Sequence, residues 1–324
     1  MAVSEPPRFP LASLPTPLVP ARRLADAIGS APILVKRDDL TGFALAGNKA
    51  RKLELLVGDA LAVGADALVT GGGAGSNHCQ ATAAAARVAG LACVLVMYGR
   101  APAREHPNLR LARAFGAEVR FTGDPDRRSV DRGLDAVAEE LAVAGRRPYV
   151  IPRGGASALG AAAYALAVPE LVGQLAAEAV EPAVVIVAAG SCGTHAGLLA
   201  GTLAGGHPWR VVGAAVSRSV AESRTRVLEL SRACAELLGT RAAIEGDVEV
   251  ADAIGPGYGV PSRAGVAAAR LGARTEGLLL DPVFTAKALG ALLAMVREGL
   301  GGPAVFVHTG GVPSVLHEGG LWDA

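Results

Sequence analysis

The sequence predicts an open α/β fold, a mostly parallel sheet with helices covering both faces. Three observations carry that prediction. Short apolar, β-branched runs alternate with longer alanine- and leucine-rich stretches, the order expected of βαβ units. Several of those runs end in glycine-rich turns, where open α/β sheets place their ligands. With 51% hydrophobic and 19% charged residues over 324 positions, the chain is densely packed and long enough for one large domain or two smaller ones.

The elements follow in order. PILVKR (32–37) is the first strand candidate, and AGNKARKLELL (46–56) opens a helix that runs to residue 64. Next come the strand DALVTG (66–71), the glycine run GGGAGSNH (71–78) and an alanine-rich helix to residue 90. CVLVMY (93–98), EVRFTG (118–123) and PYVIP (148–152) are further strands, and RGGASALG (153–160) is a glycine turn. VVIVAAG (184–190) runs into GSCGTHAGL (190–198), and RVVGAAV (210–216) precedes the helical stretch 223–239. AVFVHTG (304–310) is the last strand, ending in HTGGVPS. No period of 20 to 50 residues suggests a repeat architecture.

Composition excludes several classes of function. A formal net charge of +1 and 4% aromatic residues leave no basic, stacking face for nucleic acid. Cys79, Cys93, Cys192 and Cys234 form no CxxC pair and no cluster with metal-ligand spacing, so no metal is expected and reduced thiols in a cytoplasmic protein are. The proline-broken amino terminus lacks the apolar centre of a signal peptide. Glycines and polar residues interrupt every apolar run before about 18 residues, which argues against a membrane span.

Three local features point to chemistry. In GGGAGSNHCQATAAAA (71–86), Ser76 or Asn77 reads as an ordinary helix N-cap, or as part of a carboxylate cradle with the free N–H groups of the helix start. In VVIVAAGSCGTHAGLLAG (184–201), the turn Gly190, Ser191, Cys192, Gly193 and Thr194 is either a tight turn or a phosphate cradle. It is neither a Walker loop nor a clean dinucleotide fingerprint. Lys49 stands at a glycine-bearing turn, with Arg51 and Lys52 further along the same helix. One of these cations could point into a cleft while Arg51 and Lys52 stay on the helix surface or support the cleft rim. A lysine, a phosphate cradle and a carboxylate cradle together are what an enzyme needs to hold pyridoxal phosphate and receive an amino acid.

These residues resemble a known family. LPTPLVPARRL, LVKRDDLTG, GNKARKLELL, GSNH, YVIPRGGASALG, GSCGTHAGL, GPGYGVPS, ARTEGLLLDPVF and VFVHTGGVPS follow the order of the 1-aminocyclopropane-1-carboxylate deaminase and D-cysteine desulfhydrase family. That family belongs to the fold-type-II pyridoxal-phosphate enzymes related to tryptophan synthase β. The resemblance implies two open, twisted sheets flanked by helices. It implies a larger cofactor-binding domain of residues 1–49 and 156–324, with a smaller domain, 50–155, inserted in it. Lys49 would be the Schiff-base lysine, Asn77 a ligand of the cofactor's ring hydroxyl, and residues 190–194 its phosphate cradle. Ser76 would bind the substrate carboxylate and carry a proton, with the backbone of His78 helping to hold that carboxylate. Tyr258 matches an active-site tyrosine; Phe284 and Thr285 fall where a second tyrosine and the partner of the pyridine nitrogen sit; Thr309 and Gly310 line the substrate pocket.

Within the family, Thr285 and Thr309 replace the glutamate and leucine of the cyclopropane deaminases, which places the chain nearer the desulfhydrase branch. The implied reaction is α,β-elimination from a small β-substituted amino acid, D-cysteine first, giving pyruvate, hydrogen sulfide and ammonia. Phe284, Gln80, Ala81, Cys192 and the GGASALG turn depart from the family pattern. They keep open another β-substituted substrate (cysteate, 2,3-diaminopropionate or β-chloroalanine), then 1-aminocyclopropane-1-carboxylate, and a binding protein without catalysis. The resemblance also implies a homodimer.

Overall fold

The computed structural model describes residues 6–317; residues 1–5 and the end of the tail HEGGLWDA, 318–324, lie outside the described residues. Ten strands form among them: β1 (Leu18–Pro20), β2 (Ile33–Lys36), β3 (Ala67–Gly72), β4 (Ala92–Met97) and β5 (Glu118–Phe121) come first. β6 (Pro148–Val150), β7 (Val184–Ala189), β8 (Arg210–Ala215), β9 (Glu249–Asp252) and β10 (Ala304–Val307) follow. The helices are α1 (Arg22–Ile28), α2 (Asn48–Ala62), α3 (Asn77–Val88), α4 (Pro107–Ala114), α5 (Ser129–Val143) and α6 (Ala158–Ala165). Beyond them lie α7 (Val168–Ala177), α8 (Gly193–Ala204), α9 (Val220–Leu238), α10 (Arg263–Glu276), α11 (Thr285–Arg297) and α12 (Val312–Val315).

All eight strands predicted from β-branched runs are present; β1 and β9 are additions to that reading. Both are short edge strands, of three and four residues, with a burial pattern no deeper than intermediate, so neither leaves an apolar run to read. The strands divide into a six-stranded sheet, β1-β2-β10-β7-β8-β9, and a four-stranded sheet, β5-β4-β3-β6. Every pairing is parallel except β1 with β2. Parallel strands covered on both faces must be apolar throughout, which is why β2, β10 and most of β7 are buried residue by residue.

The core follows the sheets. Leu34, Val185, Val187, Val305 and Val307 face α6, α8 and α9 in one cluster, and Ile33, Val35, Ile186 and Phe306 face α1, α10 and α11 in another. Each such fully buried side chain stabilises the fold by about 1.5–3 kcal/mol. The four-stranded sheet packs Leu68, Cys93, Leu95 and Met97 against α2, α3 and α4, with Phe9, Leu11 and Ala12 of the amino-terminal segment on the same cluster. One segment departs from the hydropathy reading. Arg153–Ala177 makes consecutive helical turns of mean hydropathy 1.4 over span length, yet 61% of that window is buried inside the protein. Small alanine side chains there let α6 and α8 approach closely, so the hydropathy serves the core.

Candidate active site

A close backbone contact fixes where α2 begins. Gly47 precedes it at φ +55°, and a Cβ there would lie 2.2 Å from the Thr309 carbonyl oxygen, an approach open only to glycine. The Asn48 N–H donates to that same oxygen at 3.1 Å, seating the helix on the loop after β10. Lys49, one residue on, lines a cleft between the strand ends of the two sheets. Its Nζ donates to Asn48 Oδ1 at 3.0 Å. Burial lowers its pKa to about 8, with the Asp281 carboxylate pulling the other way.

Two helix amino termini meet that lysine. Ser76 caps α3, its Oγ accepting from the Cys79 N–H at 3.2 Å, and Ser76, Asn77 and His78 also line the cleft. The capping reading is met, and the capping residues stand in the cleft wall. Asn108 Nδ2 donates to Asn77 Oδ1 at 2.8 Å and to the Gly75 carbonyl at 2.9 Å, which fixes the Asn77 amide. His78 is buried, its Nε2 3.1 Å from Thr70 Oγ1. Since that hydroxyl donates to the Ile151 carbonyl, Nε2 carries the proton and Nδ1 is left an acceptor without a partner among the described residues. Burial, then the Lys49 and Lys52 charges, hold this imidazole well below its ordinary pKa, so it is neutral.

The second terminus is α8, entered through Cys192 at φ +70°. Gly190, Ser191, Cys192 and Thr194 line the cleft, and Thr194 Oγ1 accepts from Asn48 Nδ2 at 2.9 Å. Gly193 faces Lys52: a Cβ on it would lie 2.8 Å from Lys52 Nζ.

Here the sequence reading of the cations needs correction. It puts Arg51 and Lys52 on the helix surface or at the cleft rim, but both are buried, at 4% and 0% exposure. Arg51 lies between Asp38, at 3.0 Å, and Glu170, at 2.7 Å, in a polar cluster that also holds Lys36, Thr16 and Tyr164. Lys52 Nζ is buried with no hydrogen-bond partner among the described residues. The physical reason is that the first turns of α2 are enclosed by the rest of the fold, so Arg51 is matched inside while Lys52 is left without a protein partner. The matching groups stand far away in sequence.

Thr285, expected as the partner of the pyridine nitrogen, opens α11; its hydroxyl accepts from the Asp281 N–H and donates to Asp281 Oδ2, both at 2.8 Å. Asp281 is the carboxylate that faces the cleft, and it also accepts from the N–H groups of Val283, Phe284 and Thr285 at 3.0, 2.8 and 3.0 Å. Burial raises its pKa while those donors lower it. The sequence offers one signal, an Asp four residues before a helix-starting Thr, but that pattern reads equally well as capping.

Phe284 and Tyr258 form one wall, ring centroids 6.2 Å apart and edge-on. Burial raises the Tyr258 phenol to about 12, so it stays protonated. Lys287 Nζ, donating to the carbonyls of Ile254 and Gly257 at 2.7 and 2.9 Å, fixes the turn that carries Tyr258. Thr309 and Gly310 complete the floor beside Lys49. Tyr98, Arg127, Arg153 and Arg218 also line the cleft; the sequence reading assigned none of them a role. His195 is a core residue, its Nε2 3.2 Å from the Val211 carbonyl. The four cysteines are free and buried.

These residues fit pyridoxal phosphate. The orphaned Lys52 side chain, its pKa lowered by burial, and the bare glycine backbone at α8 suit the phosphate, the fixed Asn77 amide lines the same cleft, and Lys49 supplies the amine.

The profile of the family "pyridoxal-phosphate dependent enzyme" matches residues 10–310. A D-cysteine desulfhydrase from Salmonella choleraesuis (strain SC-B67) is 42% identical over 329 residues, covering 96% of this chain and 95% of its own. Among solved structures, an ACC deaminase homologue superposes with a TM-score of 0.90 at 38% identity, covering 97% of this chain and 95% of that one. A T.th. threonine deaminase, at 23% identity and a TM-score of 0.65 over 91% of this chain and 92% of that one, shares the fold.

Proposed function

The chain belongs to the pyridoxal-phosphate-dependent enzymes, and we propose that within them it is a lyase that eliminates the β-substituent of a small amino acid, D-cysteine in the first instance. One observation carries the reading. The Lys49 amine, its pKa lowered to about 8, stands between a helix terminus suited to a carboxylate and another suited to a phosphate. The D-cysteine desulfhydrases related to this chain support the choice of substrate.

Pyridoxal phosphate, when bound, supplies the electron sink for charge that develops at Cα. The chain's own residues do the rest. The N–H groups at the start of α8 and the Lys52 ammonium would hold the phosphate, and Asn77 would hold the ring hydroxyl. The amino terminus of α3, with Ser76 and the His78 backbone, would bind the substrate carboxylate and so set which Cα bond faces the ring. Lys49, with a neutral fraction near neutral pH, accepts the Cα proton, and Ser76 is within the same wall to share it. The protonated Tyr258 phenol donates toward the departing sulfur, a task Phe284 cannot share. Water then converts the released enamine to pyruvate and ammonia.

The test is direct. Purified protein should be yellow, with a visible band that borohydride removes, and should release pyruvate and sulfide from D-cysteine. Lys49→Ala should lose both band and turnover; steady-state rates unaltered by that substitution would sink the assignment. A homodimer in the cytoplasm belongs to the same proposal and is tested by sedimentation of the holoenzyme and by fractionation.

A further inference from the structure

Tyr258, the acid of the proposed elimination, is held from two sides. Its turn lies between β9 and α10, where Lys287 fixes the carbonyls of Ile254 and Gly257. The group over its ring comes from the other side of the cleft. Arg127 stands between β5 and α5, and its guanidinium carbon lies 4.2 Å from the Tyr258 ring centroid. Nη1 of the same side chain donates at 3.3 Å to the carbonyl of Ser217, just past the end of β8. The loop that carries Arg127 is itself tied down. The Gly99 N–H donates to the Asp124 carbonyl at 2.7 Å, and the Asp126 and Arg128 N–H groups donate to Asp124 Oδ1 and Asp126 Oδ1 at 2.8 and 2.9 Å. Arg153 donates to the Arg127 carbonyl at 3.2 Å and to both Asp131 carboxylate oxygens at 2.9 and 2.8 Å. Arg127 thus joins a loop after the four-stranded sheet to two segments of the six-stranded one, and one of its two anchors there is the Tyr258 ring.

We propose that Arg127 is a positioning residue for Tyr258, presenting its phenol to the departing β-substituent and facing the charge that develops on its oxygen, so that the acid is complete only where the two sheets meet. This rests on the reading of the cleft as an elimination site. A cation over the face of an aromatic ring attracts it, and attracts it more strongly once the ring carries phenolate charge. Burial comes first among the influences on the Tyr258 phenol and raises its pKa; Tyr98, Cys79 and Asp281 raise it too, and Arg127 is the group that lowers it. Phe284, edge-on to the same ring, brings no charge and no hydroxyl. The step is redox-neutral. Lys49 removes the Cα proton, the C–H electron pair becomes the Cα–Cβ double bond, and the Cβ–S bond breaks with its pair on sulfur. The Tyr258 proton passes to that sulfur, hydrogen sulfide leaves, and the proton held on Lys49 returns to the phenolate through solvent. A guanidinium fixed over the ring favours that transition state over the bound substrate, because the phenolate charge exists only there.

Holoenzyme carrying Arg127→Met, Arg127→Lys or Tyr258→Phe should be assayed for pyruvate release from D-cysteine and from β-chloroalanine, whose chloride leaves without a proton. In Arg127→Met, kcat for D-cysteine should fall about 2- to 30-fold further than kcat for β-chloroalanine, the loss expected of one cation over an aromatic face, with KM little changed. Arg127→Lys should recover part of that loss. In Tyr258→Phe, adding Arg127→Met should cost D-cysteine turnover nothing more, since the acid is already gone. The phenol gives a readout apart from turnover. With a ring-fluorinated tyrosine at position 258, a stronger acid than tyrosine, fluorine NMR of the holoenzyme should show ionisation at higher pH in Arg127→Met, its ionisation constant about 2- to 30-fold smaller than with Arg127 in place. An unmoved fluorine titration, equal losses on the two substrates, or additive losses in the double variant would overturn the inference and leave the elimination reading standing. Wild-type holoenzyme silent on both substrates removes that reading and this inference with it.

Discussion

Lys52→Met should act with opposite sign on the empty protein and on the loaded one. Lys52 Nζ is fully buried and has no hydrogen-bond partner among the described residues, in a helix that shields it from water on all sides. An unsatisfied buried polar group costs about 1–3 kcal/mol, and methionine fills nearly the same volume without that cost. Unfolding entropy of about 2.1 cal/mol/K per residue over 324 residues amounts to roughly 0.7 kcal/mol/K. The apoprotein variant should therefore melt about 1.5–4 °C higher than wild type. A phosphate at the α8 terminus reverses the balance, since it supplies the partner that the ammonium lacks. Loss of that charge-assisted bond should weaken cofactor binding by about 1.5–3 kcal/mol, roughly 10- to 150-fold. Scanning calorimetry of the apoprotein and titration of pyridoxal phosphate by visible absorption read the two effects separately. An apoprotein that is no more stable, together with unchanged cofactor affinity, would refute the reasoning, because it would mean that Lys52 is satisfied and faces elsewhere.

Three further outcomes follow from the same geometry. The rate of apoprotein reconstitution should rise with pH up to about 8 and then level off, because only neutral Lys49 attacks an aldehyde and its neutral fraction grows about tenfold per pH unit below that point; stopped-flow absorption checks it. Arg51→Met leaves Asp38 and Glu170 short of their shared partner and should destabilise the protein by about 3–5 kcal/mol in urea unfolding; a loss under about 1 kcal/mol would mean water replaces the guanidinium. Lys287→Met removes both bonds to the turn carrying Tyr258, and hydrogen exchange there should speed up at least about tenfold while α8 is unchanged.

Much of the fold was legible because parallel strands buried on both faces must be uniformly apolar, and β7, β8 and β10 show this plainly. The edge strands β1 and β9 carry no such run, and only their register against β2 and β8 makes them strands. In the site, Ser76 and the turn 190–194 were readable as helix entrances, since capping is decided by residues three or four apart. Lys49 was readable with them, standing behind a glycine whose backbone must pass close to another chain segment. Asp281 was not, because a short polar residue ahead of a helix looks the same whether or not its carboxylate faces a cleft.

The sequence by itself determined the order of strands and helices, the two glycine-rich helix entrances and the lysine that stands with them. These depend on patterns a few residues long, set by turn, cap and side-chain periodicity. Tertiary structure alone decided that Arg51 and Lys52 lie inside, that the Asp281 carboxylate faces the cleft, and that Arg127 lies over the Tyr258 ring. The reason is that the burial of a charge depends on what packs against it. For Arg51 that is Glu170, 119 residues away, and for Arg127 it is the carbonyl of Ser217, 90 residues away.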